Sequence, residues 1–356
     1  MIRVGVVGLG KMGISHFSIA NAHPKTQVSV CDSSNYLLSW LNKYTETATY
    51  KDYNVMLEKG DLDAVIIATP SRLHAPMVRK AVERGLHVFC EKPFCLDLKE
   101  SVELAALAED RGLVNQVGYH YRYVATFLEM KRVLDSGALG DITHVLAEAY
   151  GPVVLRPKGS TWRTQRSEGG GCLYDYAAHP INLVNWLFGK PDGVSGTILR
   201  SIFSADTDDE VYTTFTYRSG MSVHVSVNWS DGSYRKMSTK LSMTGTKGRL
   251  YADRQECQFY QREAHPSLQG YQRGWNVRYT TDLTEEVGFY LRGEEYSAQI
   301  DDFVQAVLDR SVQTANTFGS AAETDKSMAM MIANKDEGPT QPRATPAKSH
   351  SWFGRK

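Results

Sequence analysis

The sequence has no net charge, no long apolar run, few cysteines and no repeat at a fixed period, and each absence removes a class of function. Forty basic and forty acidic side chains cancel, so no basic excess points to nucleic acid or an anionic membrane surface. No stretch approaches the roughly 20 apolar residues of a membrane span. The N-terminus enters a strand pattern at once, where a secretory signal would place an apolar segment and a cleavage site. Cys31, Cys90, Cys95, Cys172 and Cys257 are odd in number, widely spread and free of any C-x-x-C pair. That argues against a disulfide framework or a metal site and fits a reducing cytoplasm. The expected partner is therefore a small molecule, with no nucleic acid, membrane or metal.

What is present is an ordinary globular composition, 42% apolar and 22% charged, in a chain too long at 356 residues for one usual core. Two domains are expected. The organising stretch is Met1–Gly13. Its run Arg3–Val7 is β-branched and apolar, as in a strand buried on both faces. It breaks into Gly8-x-Gly10-x-x-Gly13, and a helix pattern follows over Ile14–Ala22. Strand, glycine turn and helix in that order are the context of a dinucleotide fingerprint. Gly8 permits the tight turn, Gly10 the approach of a pyrophosphate, and Gly13 close packing of helix on strand. A second apolar run, Gln27–Asp32, closes on an acid nineteen residues after Gly13. Asp32 can accept hydrogen bonds from both adenosine ribose hydroxyls and would repel a 2′-phosphate, so NAD(H) is preferred over NADP(H).

The alternation continues. Helices are expected at Tyr36–Tyr44, Tyr53–Lys59, Ala75–Arg84 and Leu98–Arg111, and strands at Asp63–Thr69, His87–Cys90 and Leu113–Tyr119. This is a doubly wound parallel sheet, a Rossmann domain over residues 1–119. After it the pattern changes. Helices at Ala125–Asp135 and Ala177–Phe188 accompany alternating strands at Thr143–Tyr150, Asp192–Phe203, Glu210–Tyr217, Ser222–Trp229, Lys240–Thr244, Gly248–Asp253 and Glu256–Gln261. Short turns between them imply an α/β domain, residues 120–334, on a large, mostly antiparallel open sheet. Helices are expected on one face and a second subunit over the other. Further helices read at Tyr296–Asp309 and Ala321–Ala333, and 335–356 reads as a disordered tail.

Three elements bear chemistry. Glu91-Lys92-Pro93 ends a strand, which delivers Lys92 to the crevice outside the strands' carboxyl ends. Ala68-Thr69-Pro70 and His74 end the preceding strand in the same way and can border a cofactor. Gly169-Gly-Gly171-x-x-x-Asp175-x-x-x-His179 sets an acid and a histidine four apart, on one helix face. Singly, these are also readable as a surface turn, a structural histidine, and a helix acid beside a buried histidine. In this order and spacing they resemble the Gfo/Idh/MocA family of dehydrogenases over about Met1–Ala333.

The resemblance implies an NAD(H)-dependent oxidoreductase moving hydride at a secondary alcohol or ketone of a sugar, sugar acid, nucleotide-sugar or cyclitol. Two alternatives stay open: an NAD-assisted glycosidase or lyase acting through a transient keto-sugar, and a non-catalytic NAD(H)-binding protein. It also implies Lys92, Asp175 and His179 as catalytic residues, and a homodimer or homotetramer formed through the second sheet. Cofactor contacts fall on Gly8, Gly10, Lys11, Met12, Gly13, Asp32, Ala68, Thr69, Pro70, His74, Glu91 and Lys92. Substrate contacts fall on Lys92, Arg122, Trp162, Arg163, Asp175 and His179. Arg156, Lys158 and Arg166 add cations near the expected mouth.

Overall fold

A computed structural model describes residues 1–155 and 161–335. Arg156, Lys158 and the tail expected from 335, beyond that first residue, lie outside the described residues. The first sheet holds β1 (Ile2–Val7), β2 (Thr26–Cys31), β3 (Ala48–Tyr50), β4 (Ala64–Ile67), β5 (His87–Cys90) and β6 (Asn115–Val117). All pairs are parallel and the order is β3-β2-β1-β4-β5-β6. Strands β4 and β5 are buried at every position, which is why they read as continuous apolar runs. Helices α1 (Lys11–Ala22), α2 (Asn35–Tyr44), α3 (Tyr53–Lys59), α4 (His74–Glu83) and α5 (Leu98–Asp110) connect them. The strand order reverses between β1 and β4, and a crevice opens there at the carboxyl ends.

The second sheet is built after α6 (Ala125–Asp135), with α7 (Ala178–Phe188) between its first two strands. It contains β7 (Ile142–Tyr150), β8 (Gly193–Arg200), β9 (Glu210–Thr216), β10 (Ser222–Asn228), β11 (Ser238–Gly245), β12 (Gly248–Ala252), β13 (Glu256–Gln261) and β14 (Gly274–Tyr279). The order is β14-β13-β12-β11-β7-β10-β9-β8, and every pair but β7/β10 is antiparallel. The expected α/β class and mostly antiparallel second sheet are therefore observed. Val145, Ala147 and Ala149 of β7 face the helices, while Leu146, Glu148 and Tyr150 form part of the open face. Strand β3 was not expected, because three residues show no period. Strand β14 was also missed, though its Trp-Asn-Val-Arg-Tyr alternation was there to be read.

The last elements are α8 (Thr280–Leu283), α9 (Glu294–Leu308) and α10 (Phe318–Asn334). Sequence order assigns α9 to the second unit, yet it packs on the first sheet. Tyr296, Ile300, Phe303 and Val304 share a core with Ile2, Val4, Val6 and Phe89. Phe303 meets Phe89 edge-on at 6.0 Å between ring centres. The chain thus returns from the second sheet to the first and adds a helix to its core. Among the described residues no helix is long and apolar enough to cross a membrane. All five cysteines are free and buried.

Candidate active site

The glycine turn is fixed by sterics. Gly8 sits at φ +88°, and a Cβ on Gly13 would lie 1.6 Å from the Gly8 carbonyl oxygen. Gly10 is the N-cap of α1 and offers no side-chain cap, and the first turn holds no acid. A Cβ on Gly10 would meet nothing within 4 Å. Open space thus lies before uncapped amides at the positive end of a helix dipole, a setting that suits a pyrophosphate. Asp32 lies beyond it. Its Oδ2 accepts from the Leu9 amide at 2.5 Å and its Oδ1 from Ser34 at 2.7 Å, so the carboxylate is held with lone pairs to spare. These residues fit a dinucleotide. Of the neighbours expected to touch it, Met12 turns its side chain into the core of the first sheet. Ala68 donates its amide to the Val7 carbonyl at 2.8 Å and, with Thr69, stands against Gly8 of the glycine turn.

Two expected cofactor contacts are committed elsewhere. His74 is 1% exposed; its Nδ1 lies 2.8 Å from the Pro93 carbonyl and its Nε2 3.0 Å from that of Thr69. It braces the two strand ends. Glu91 pairs with buried His16 of α1 at 2.6 Å and accepts from the Lys92 amide at 3.1 Å. Burial pushes the Glu91 carboxyl up, but His16 and Lys92 outweigh it and hold it below its ordinary range. His16 was not read as functional: a histidine inside an amphipathic helix carries no sequence signal for a partner 75 residues away.

Lys92, whose peptide bond to Pro93 is cis, points across the crevice. Its Nζ donates to the Asp175 carbonyl at 2.9 Å and to Asp175 Oδ1 at 3.1 Å. Asp175 lies in a π-helical turn, Leu173–Ala177, that runs directly into α7. That turn is anchored by Asp208, which accepts from the Leu173 amide at 2.7 Å. Gly171, at φ +116°, has room for no side chain, because a Cβ would meet Asp208 Oδ1 at 2.6 Å. Arg163 completes the group: its Nε donates to Asp175 Oδ2 at 2.7 Å while its guanidinium lies 4.8 Å from the Trp162 ring centre. Burial alone would raise the Asp175 carboxyl, but Lys92 and Arg163 hold it below the usual carboxylate range. Asp175 is therefore ionised and turned onto two cations.

His179 lies one helical turn on, 3% exposed, with ring contacts to Tyr119, His120 and Tyr121 at 6.1, 5.1 and 5.1 Å between centres. Its buried Nδ1 has no hydrogen-bond partner among the described residues. Burial, then the Lys92 and Arg254 cations, hold its titration well below the ordinary histidine value. The ring is neutral at pH 7. His120, stacked on Tyr296 at 4.6 Å, is depressed in the same direction by burial and by His179 and Arg254. Arg254 and Tyr296 were missed by sequence reasoning, since both arrive from segments that pattern alone does not bring near Lys92.

The structure gives Arg122, an expected substrate contact, protein partners. Arg122 is 4% exposed and donates to Asn182 Oδ1 at 2.9 Å and to the Ala315 carbonyl at 2.8 Å. The guanidinium ties α7 to the segment before α10. Arg166 instead holds the β8–β9 loop, through Asp206.

Residues 2–119 match a family model described as an oxidoreductase family, NAD-binding Rossmann fold, and residues 127–251 match a GFO/IDH/MocA C-terminal domain. The chain belongs to the Gfo/Idh/MocA family. A dTDP-3,4-didehydro-2,6-dideoxy-α-D-glucose 3-reductase of Streptomyces violaceoruber is 30% identical over 202 residues, 56% of this chain and 58% of the relative. A scyllo-inositol 2-dehydrogenase (NADP(+)) of Bacillus subtilis is 26% identical over 219 residues, 61% of this chain and 60% of the relative. The chain spans 55% to 62% of the length of the first three curated relatives it matches. In fold, levoglucosan dehydrogenase in complex with NADH superposes with a TM-score of 0.82 at 22% identity, over 94% of this chain and 96% of that one.

Like other buried neutral histidines, those of this Gfo/Idh/MocA protein make stability depend on pH. A depressed folded-state value means that the unfolded chain binds more protons below the ordinary value of 6.5, so stability is full above it and falls as pH drops. His179→Gln should reduce that fall, by up to about 1.4 kcal/mol per pH unit, in urea melts between pH 7.5 and 5. Equal pH slopes in the two proteins would contradict a buried, neutral His179.

Proposed function

We propose that the protein is an NAD(H)-dependent oxidoreductase that transfers hydride at a secondary alcohol or ketone of a sugar, sugar acid, nucleotide-sugar or cyclitol. The observation that carries this reading is the Lys92 ammonium, 3.1 Å from Asp175 Oδ1, with Asp175 in turn one helical turn before His179. The bound nicotinamide supplies the hydride acceptor or donor. The chain does the rest. In the oxidative direction the neutral His179 imidazole takes the hydroxyl proton, and the Lys92 ammonium stabilises the oxygen as negative charge develops on it. A cation so placed is worth about 3–4 kcal/mol of barrier. Asp175 orients Lys92 and the substrate, and the wall of Tyr119, His120 and Tyr121 keeps water from the ring.

Preference for NAD(H) rests on Asp32, whose fixed charge disfavours a 2′-phosphate. Lys92→Ala should lower kcat by about two to three orders of magnitude while NADH still binds. Asp32→Ala should instead weaken NADH binding and narrow the margin over NADPH. Unchanged turnover in the first variant, or unchanged cofactor preference in the second, would contradict these roles.

The chains pair, in the same proposal, through the open face of the second sheet. Tyr260 and Trp275 touch across strands there at 5.3 Å, and Val277 and Tyr279 stand exposed beside them. Light scattering should return a dimer or tetramer, with Trp275→Glu shifting the mass toward the monomer. A wild-type monomer at micromolar concentration would contradict it.

A further inference from the structure

A cavity of about 470 Å³ adjoins the Lys92–Asp175–Arg163 group through Arg163, which lines it. That volume is within the range of small-molecule sites. Its walls come from the loop after β7, the turn at Trp162–Thr164, the β8–β9 loop and the segment after β10. Arg163 is common to both places: its Nε holds Asp175 at 2.7 Å while its side chain lines the cavity. A ligand seated here therefore reaches the reacting centre along one side chain.

The described lining carries cations and no carboxylate: Arg235 and Lys236, with Arg163 already engaged by Asp175. Asp175 engages Arg163 from outside the lining, and two further acids near the cavity wall are turned onto backbone. Asp208 accepts from Leu173, and Asp209 accepts from the amides of Ile202, Phe203 and Ser204 at 2.8, 2.7 and 2.6 Å. The second set of bonds also fixes the loop that presents Phe203, so this wall is preorganised. Two lining residues carry buried polar atoms with no hydrogen-bond partner among the described residues: Trp229 Nε1 and Thr207 Oγ1, each residue being 1% exposed. Buried donors without partners are costly and rare in native proteins. Their presence together in the wall of a basic cavity marks a place for acceptor oxygens from outside the chain.

We propose that this cavity is an anion-recognising subsite that takes a carboxylate or phosphate carried on the sugar, remote from the reacting carbon. Arg235 and Lys236 supply the charge, Trp229 and Thr207 supply directional hydrogen bonds, and Arg163 couples the subsite to Asp175. The inference rests on the hydride-transfer reading above for the identity of the sugar-binding end.

The test uses the full chain saturated with NAD and four probes: D-glucose, D-glucuronate, glucose 6-phosphate and UDP-glucose. Calorimetry measures affinity, and NADH formation is followed separately. At least one anionic probe should bind about tenfold or more tighter than D-glucose. Arg235→Ala/Lys236→Ala should abolish that preference and leave affinity for D-glucose and NADH unchanged. Which anionic probe wins separates carboxylate, monophosphate and diphosphate. Trp229→Phe, which removes the indole N–H and little volume, should also weaken the preferred probe alone, and serves if the double variant does not fold. Equal affinity for charged and neutral sugars, binding of none of the three anions, or a preference that survives both variants overturns the subsite. An anionic probe that binds with the expected variant effects but never yields NADH supports the subsite and overturns the hydride-transfer reading alone.

Discussion

The Asp175 carboxylate is buried, and it holds two cations that come from different directions. Lys92 comes from the end of a strand in the first sheet, and Arg163 from a turn outside the second. A charge out of water is tolerable only when paired, and removing one partner from such a group typically costs about 3–5 kcal/mol. The triad therefore does more than decorate a cleft. It requires the Glu91-Lys92-Pro93 loop and the π-helical turn to approach within hydrogen-bonding distance, and so sets how the crevice of one sheet faces the helix of the other. The same pairing fixes the Lys92 ammonium, as the proposed role in catalysis requires.

Around the triad, buried polar groups act as braces. His16 and Glu91 lock α1 to the loop that carries Lys92, so the uncapped start of the helix and the amine are held in one unit. His74 ties Thr69 to Pro93. Asp208 fixes the start of the turn that holds Asp175, and Arg72 of the first half pairs with Glu168 just before the glycines. Helix α9 closes the core under the glycine turn and brings Tyr296 against His120, which in turn stands against His179. Preorganisation here is a matter of satisfied hydrogen bonds and packed rings, the ordinary means by which a protein holds reactive groups still.

What could be read in the sequence was what local sterics and period dictate. Gly8 and Gly13 are legible because no other residue permits that turn, Gly10 because its spacing leaves open space before the helix, and β4 and β5 because strands covered on both sides must be apolar throughout. The four-residue spacing of Asp175 and His179 was legible too, although the π-turn beneath Asp175 was not. What could not be read depends on which distant segments meet. The apolar stripe of α9 says that it packs, not on which sheet. Arg122 looks like a ligand-binding cation until Asn182 and Ala315 arrive to occupy it. Arg254 and Trp229 gain meaning only from neighbours far along the chain.

The central claim is that Asp175 acts through Lys92, and a double-mutant cycle in kcat/KM tests it most directly. With a turned-over substrate, Lys92→Ala, Asp175→Asn and the double variant are compared with the wild type. If Asp175 serves chiefly to hold the ammonium in place, the double variant loses no more than Lys92→Ala alone. Losses that multiply independently would mean that the two residues act separately, and the account built on their pairing would fail.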